Sequence, residues 1–267
     1  MYQTALRGVL ALVVLAHHMS LFVPMGGIGA ILRECGKPAV AAFLFLSGQG
    51  LMRQVRQRQG YLNGFFGRQM KKLWLPYSVV ATCSFLSWPL THGHGFGWAD
   101  LCDRFQYGDP IVSNGWYVFF LAFLYGVFYL AAKWLRRPCW IVGVAAAVTL
   151  AWIPVCQGIG WGSYWYASGP AFALGLAWGA WSKPSREGRS RCPFLTYVGK
   201  IGYELYLVHG WVLLLLRKHA EGAMLGVAVL VLSVAAAAGL HHIIRKTDVK
   251  KGSCISSMRS RRRTKVR

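Results

Sequence analysis

The sequence predicts an all-α fold: a polytopic transmembrane helical bundle of about eight spans, with both termini in the cytoplasm. Three observations carry this. Of 267 residues, 55% are hydrophobic and 14% charged, whereas a soluble domain is about one-quarter charged. The apolar residues fall into blocks, most of them close to the roughly 18 to 20 residues that cross a bilayer as helix. The 30 Lys and Arg behind the net charge of +22 gather between alternate blocks, as the positive-inside rule expects.

Taken in chain order, the first block, 5–23, includes "LRGVLALVVLAHHMSLF". It lacks a small-x-small cleavage motif, so it is read as a retained helix and not as a leader. The second, 38–52, is followed by the basic stretch 53–72, which places that junction in the cytoplasm. The third covers 73–90, and the aromatic-rich fourth 115–132. "KWLRRP" (133–138) then separates it from the fifth, 139–155. The sixth runs over 163–181 after a glycine-rich turn. The seventh, 197–216, holds Glu204, Tyr206 and His209, and the eighth covers 222–244. With eight crossings, the loops 53–72, 133–138 and 182–193, the tail from Arg245, and Arg7 and Lys200 at span entrances hold 25 of the 30 Lys and Arg. Residues 1–244 therefore read as one membrane domain and 245–267 as a basic, disordered cytoplasmic tail drawn to anionic headgroups. No nucleic-acid motif accompanies the charge, so membrane lipid, and not nucleic acid, is the expected partner. The seven cysteines form no C-x-x-C pair and read as small hydrophobes. No repeat at a fixed period is present, which argues against a transporter of duplicated halves.

Ionisable groups in hydrocarbon cost several kcal/mol and mark functional sites. Arg7 and His18 are eleven residues apart, about three turns plus 20°, so they share one helix face with His18 about 16 Å deeper. His17 points about 80° to the other side of Arg7. In the seventh span His209 is expected near the depth of His18, so the two imidazoles are expected to meet. Tyr206, three residues before His209, shares its face, while Glu204 points about 140° away near the depth of Arg7, where an ion pair would relieve both.

These residues also carry a resemblance. "LRGVLALVVLAHH" resembles the opening signature of the membrane acyltransferase-3 family, Arg or Lys followed after ten residues by His. "AAFLFLSGQGL" (41–51), "FFGRQMKKLWLPY" (65–77), "NGWYVFFLAFLY" (114–125) and "GKIGYELYLVH" (199–209) are similar to four further family elements, in family order over about 200 residues. Members commonly have ten spans, and Lys71 stands where a second Arg is usual. The resemblance implies an integral membrane O-acyltransferase of the plasma membrane that moves an acyl group, acetyl above all, from acyl-CoA to a hydroxyl of a cell-envelope or exported carbohydrate. Acyl-CoA would be a co-substrate, with no tightly bound cofactor and no metal. A neutral imidazole suits removal of the hydroxyl proton, which makes His18 the expected base, with His209 holding the acceptor hydroxyl or donating to the oxyanion. Arg7, with Arg68, Lys71 and Lys72 at the cytoplasmic mouth, would hold the phosphates, with Glu204 and Tyr206 completing the site.

Plainer readings stand beside these. Arg7 also fits a topology flank, His18 and His209 hydrogen-bonded packing residues, and Arg53, Arg56 and Arg58 solvated topology determinants. "THGHGFGWADLC" (91–102) offers His92, His94, Asp100 and Cys102 at a spacing not diagnostic of a metal site. "FLSGQG" lacks the first glycine of an intramembrane serine protease motif, since Phe45 stands there. The competing functions are a transporter or flippase of a lipid-linked glycan, and a shortened, inactive acyltransferase relative.

Overall fold

A computed structural model describes the backbone of residues 2–112, 114–183 and 192–264, and the side chains from Gln3 to Lys246 within them. Among the described residues the fold is all-helical, with no strand. The helices are α1 (Tyr2–Ser20), α2 (Gly26–Gln57), α3 (Phe65–Leu86), α4 (Trp88–His92), α5 (Trp98–Tyr107), α6 (Trp116–Leu135), α7 (Pro138–Gly158), α8 (Pro170–Trp181), α9 (Pro193–Lys200), α10 (Gly202–Leu216) and α11 (Gly222–Thr264). Prolines open α7, α8 and α9, the position where a missing N–H is harmless and the fixed φ already suits a helix.

Among the described residues, three helices are long and apolar enough to cross a membrane: Trp116–Leu135, Pro138–Gly158 and Gly222–Lys246. Gly202–Leu216 is a shorter apolar helix. The apolar run of α1 is interrupted by Arg7, His17 and His18, and α8 has 12 residues. The second expected block grows at both ends into a 32-residue helix that carries Pro38 inside it. The sixth opens with a single 3-10 turn at Ser163–Trp165 and becomes α-helical only at Pro170, and the seventh is broken at Ile201 into α9 and α10. The backbone of α11 is helical to Thr264. Most of the basic loop 182–193, and the tail's side chains beyond Lys246, lie outside the described residues.

The helices close a ring. α1 packs on α2, α2 on α8, α8 on α7, α7 on α6, α6 on α3, α3 on α10, and α10 back on α1, with α9 laid on α1 and α11 on α10. Small residues make the closest seams, as expected where lipid supplies no hydrophobic drive between helices. A Cβ at Gly175 would lie 2.0 Å from the Phe45 carbonyl oxygen, and one at Gly48 2.3 Å from that of Phe172. Across α1 and α9, a Cβ at Gly199 would lie 1.7 Å from the Thr4 oxygen. The α2 arginines finish the same seam. Arg56 donates to the Gly179 and Ala180 carbonyls and Arg53 to the Ser182 hydroxyl, so positive charge meets the negative end of α8. Phe65, Phe128, Phe172, Leu44, Leu124 and Leu176 fill the packed half of the ring.

Candidate active site

Two chambers lie inside the ring. The first, of about 440 Å3, is lined by Val14, His17 and His18 of α1, by Arg33, Glu34, Gly36, Lys37 and Val40 of α2, and by Asp109, Asn114, Trp116, Tyr164, Ser168 and Tyr206. The second, of about 320 Å3, is lined by Arg7 of α1, Ser47 of α2, Gln69 and Lys72 of α3, Tyr117 and Tyr125 of α6, and Lys200, Tyr203 and Tyr206. Below they are called the outer and the inner chamber. Tyr206 belongs to both walls. Arg7 and His18 thus share a helix face, as their spacing requires, but open into adjoining compartments.

In the outer chamber the ring centroids of His18 and His209 are 5.0 Å apart. The two imidazoles meet as the depths of α1 and α10 require. His209 is 1% exposed, and both of its nitrogens are engaged. Nδ1 lies 3.1 Å from the Leu205 carbonyl oxygen, which can only accept, so Nδ1 carries the hydrogen. Nε2 of the neutral ring then accepts from the Asn114 amide nitrogen at 3.1 Å. His209 therefore has no N–H left for an oxyanion, which corrects the role expected of it. By contrast, no protein group hydrogen-bonds the His18 ring among the described residues. Its lone pair is free for a substrate proton.

His17 departs from the expectation drawn from its direction. Its ring centroid is 4.8 Å from that of His18 and its Nδ1 donates to the Leu32 carbonyl at 3.2 Å. The helix α2 closes over that side of α1, and Gly36 makes the room. A Cβ there would lie 2.6 Å from the His17 ring.

Asn114 was quoted within an aromatic motif but given no role by sequence reasoning. It precedes α6 with φ 66°, a left-handed conformation that Asn tolerates better than most residues. The loop before it is pinned from three sides. The Trp165 indole donates to the Gly108 carbonyl at 2.9 Å, the Tyr164 hydroxyl to Asp109 at 2.8 Å, and Arg104 to the Pro110 carbonyl at 2.7 Å. Gly108 is required here, with φ 66° and a Cβ that would lie 2.8 Å from the Trp161 and Trp165 rings. The Asn114 carbonyl in turn accepts from the Tyr206 hydroxyl at 2.9 Å.

The inner chamber keeps part of its expected set. Arg7 and Lys72 line it, and Lys200 joins them. Arg68 does not. Its guanidinium donates to the carbonyls of Asn63 and Tyr61 and lies over the Tyr61 ring, because Gly64 turns the chain back just before α3. Lys71 is not among the lining residues either. Glu204 is 7% exposed, and its partner is His241 of α11, with Nδ1 to Oε1 at 2.7 Å. The expected pair with Arg7 is replaced by one that ties α10 to α11. His241 was invisible to spacing arguments within one helix.

In the loop 91–102, His92 stacks on Trp88 at 3.6 Å, and His94 lies 3.8 Å from Asp100. No group of three His, Cys, Asp or Glu that could hold a metal comes together among the described residues.

The outer chamber thus presents an imidazole that no protein group hydrogen-bonds among the described residues, and the chamber beside it is lined by Arg7, Lys72 and Lys200. Compared with known proteins, residues 4–189 match the family model described as an acyltransferase domain, that of the acyltransferase-3 family. No curated protein and no solved structure matches. The matched segment holds Arg7, His18, Lys72 and Asn114, while Tyr206 and His209 lie beyond it.

Proposed function

The chain belongs to the membrane acyltransferase-3 family, matched over more than half its length, and from that premise we propose that it transfers an acyl group from acyl-CoA to a carbohydrate hydroxyl. The observation that carries this reading is the pairing of chambers: a His18 ring with no hydrogen-bond partner among the described residues in one, beside Arg33, Glu34 and Lys37, the cations Arg7, Lys72 and Lys200 in the other, and Tyr206 as their common wall. In this reading the chain, a membrane acyltransferase by family, crosses the membrane eight times from a cytoplasmic N-terminus, and the inner chamber faces the cytoplasmic pool of acyl-CoA. Acetyl-CoA is the donor in this reading, and a glycan of the cell envelope, met at the plasma membrane's outer face, is the acceptor.

Arg7, Lys72 and Lys200 would hold the donor's phosphates by charge-assisted hydrogen bonds. The donor's arm would then follow α1 for about 16 Å, the rise from Arg7 to His18, and bring the thioester past Tyr206. In the outer chamber the acceptor oxygen bonds to the thioester carbonyl carbon while His18 takes the hydroxyl proton. Collapse of the tetrahedral adduct breaks the C–S bond, and His18 returns the proton to the departing thiolate. The open His18 ring gives the base its access, and general-base catalysis of this kind contributes about 10²- to 10⁴-fold. Trp116 and Tyr164, with ring centroids 5.4 Å apart, offer the acceptor an aromatic wall of the kind that buries the apolar face of a sugar.

The test is release of free coenzyme A by the purified protein given acetyl-CoA and a panel of p-nitrophenyl glycosides. Wild type releases it and His18→Ala does not, with both monodisperse in detergent. Equal background from the two would replace transfer with movement of a lipid-linked glycan.

A further inference from the structure

The hydrogen bonds of His209 fix more than its own ring. The Leu205 carbonyl puts the hydrogen on Nδ1, so Nε2 holds a lone pair. That lone pair decides which end of the Asn114 amide faces it, namely the nitrogen. An amide nitrogen has two N–H bonds, and His209 uses one. The other has no protein acceptor among the described residues, and Asn114 lines the outer chamber together with His18. The backbone holds the group in place from the other direction, since Tyr206 donates to the Asn114 carbonyl and the loop before it is pinned to Trp165 and Arg104.

Resting on the acyl-transfer reading, we propose that Asn114 is a catalytic residue: its second N–H donates to the acyl carbonyl oxygen as negative charge develops there, and His209 is the positioning residue that aims it. A pre-oriented donor matters because it does not have to reorganise when the oxyanion forms, and loss of one such donor typically lowers kcat by about 10²- to 10³-fold. The assignment also explains why the imidazole with both nitrogens occupied sits against the imidazole with both free. One sets geometry and the other moves the proton. The bonds are balanced as above, since Asn114 exchanges no proton with the substrate.

Two variants test this with acetyl-CoA and the glycoside panel. Asn114→Gly removes the amide and adopts φ 66° without strain, so any loss belongs to the side chain and not to the backbone. Asn114→Asp keeps the shape and replaces the donor by an acceptor that repels the oxyanion. We expect kcat to fall about 10²-fold in the first and further in the second, with the acetyl-CoA KM within about twofold of wild type. His209→Phe is expected to lose a comparable factor, and adding Asn114→Gly to it should cost little more, because the two act as one unit. Active wild type, inactive His18→Ala and fully active Asn114→Gly would overturn this inference while leaving the transfer reading intact. Full additivity of Asn114→Gly and His209→Phe would overturn the positioning link, and wild type no better than His18→Ala would remove both readings.

Discussion

The two chambers are built differently although they share α1, α10 and the wall at Tyr206. Around the outer chamber several polar groups are held. His17 is bonded to Leu32, His209 to Leu205 and Asn114, Tyr206 to Asn114, and Tyr164 to Asp109. The His18 ring has no such bond among the described residues, and neither do the Glu34 and Lys37 side chains at the same chamber. The inner chamber reverses this: Arg7, Lys72 and Lys200 have no hydrogen-bond partner among the described residues, and their long side chains are free to follow a mobile polyanion. Bonded neighbours around an open imidazole suit bond making, and a loose set of cations suits capture. Under the proposed function, the contrast implies that binding and chemistry are separable along a single helix.

Breaking the contrast at its strongest point should give the largest effect. His18→Ala is expected to lower kcat about 10³-fold while acetyl-CoA still binds, as read by equilibrium binding in detergent. An equal fall in binding would mean that the chambers are not separable. Arg7→Ala should do the reverse, raising the acetyl-CoA KM about tenfold with kcat little changed, and the rise should shrink at high ionic strength. Tyr206→Phe touches both sides, because it removes the hydroxyl that braces Asn114 from the shared wall. A fall in kcat of about fivefold is expected, in line with one neutral hydrogen bond of about 1 kcal/mol. Arg68→Ala should leave KM and kcat alone and lower the Tm by a few degrees, since its bonds to Asn63 and Tyr61 hold a loop. A large KM effect there would return Arg68 to the donor site.

The sequence made some of this visible and not the rest, for physical reasons. Periodicity within one helix placed Arg7 and His18 on a face, and depth counting brought His209 to His18, because helical rise and twist are fixed by the backbone. Contacts between helices are not fixed that way. Glu204 chose His241 across α10 and α11, and Arg68 was taken by carbonyls of its own loop. Asn114 drew no notice because its role depends on a φ of 66° and on a partner 95 positions away. Apolar blocks located most helices, but they could not show the extension of α2 to Gly26, where polar residues are carried on a helix face by packing against α1, nor the break at Ile201.

The most direct test of the two-chamber account is an experimental structure with a non-hydrolysable acyl-CoA analogue bound. The account predicts phosphates against Arg7, Lys72 and Lys200, the arm passing Tyr206, and the carbonyl within hydrogen-bond reach of His18 and the Asn114 amide. A nucleotide seated in the outer chamber, or a carbonyl held on the inner side of Tyr206 away from His18, would contradict it.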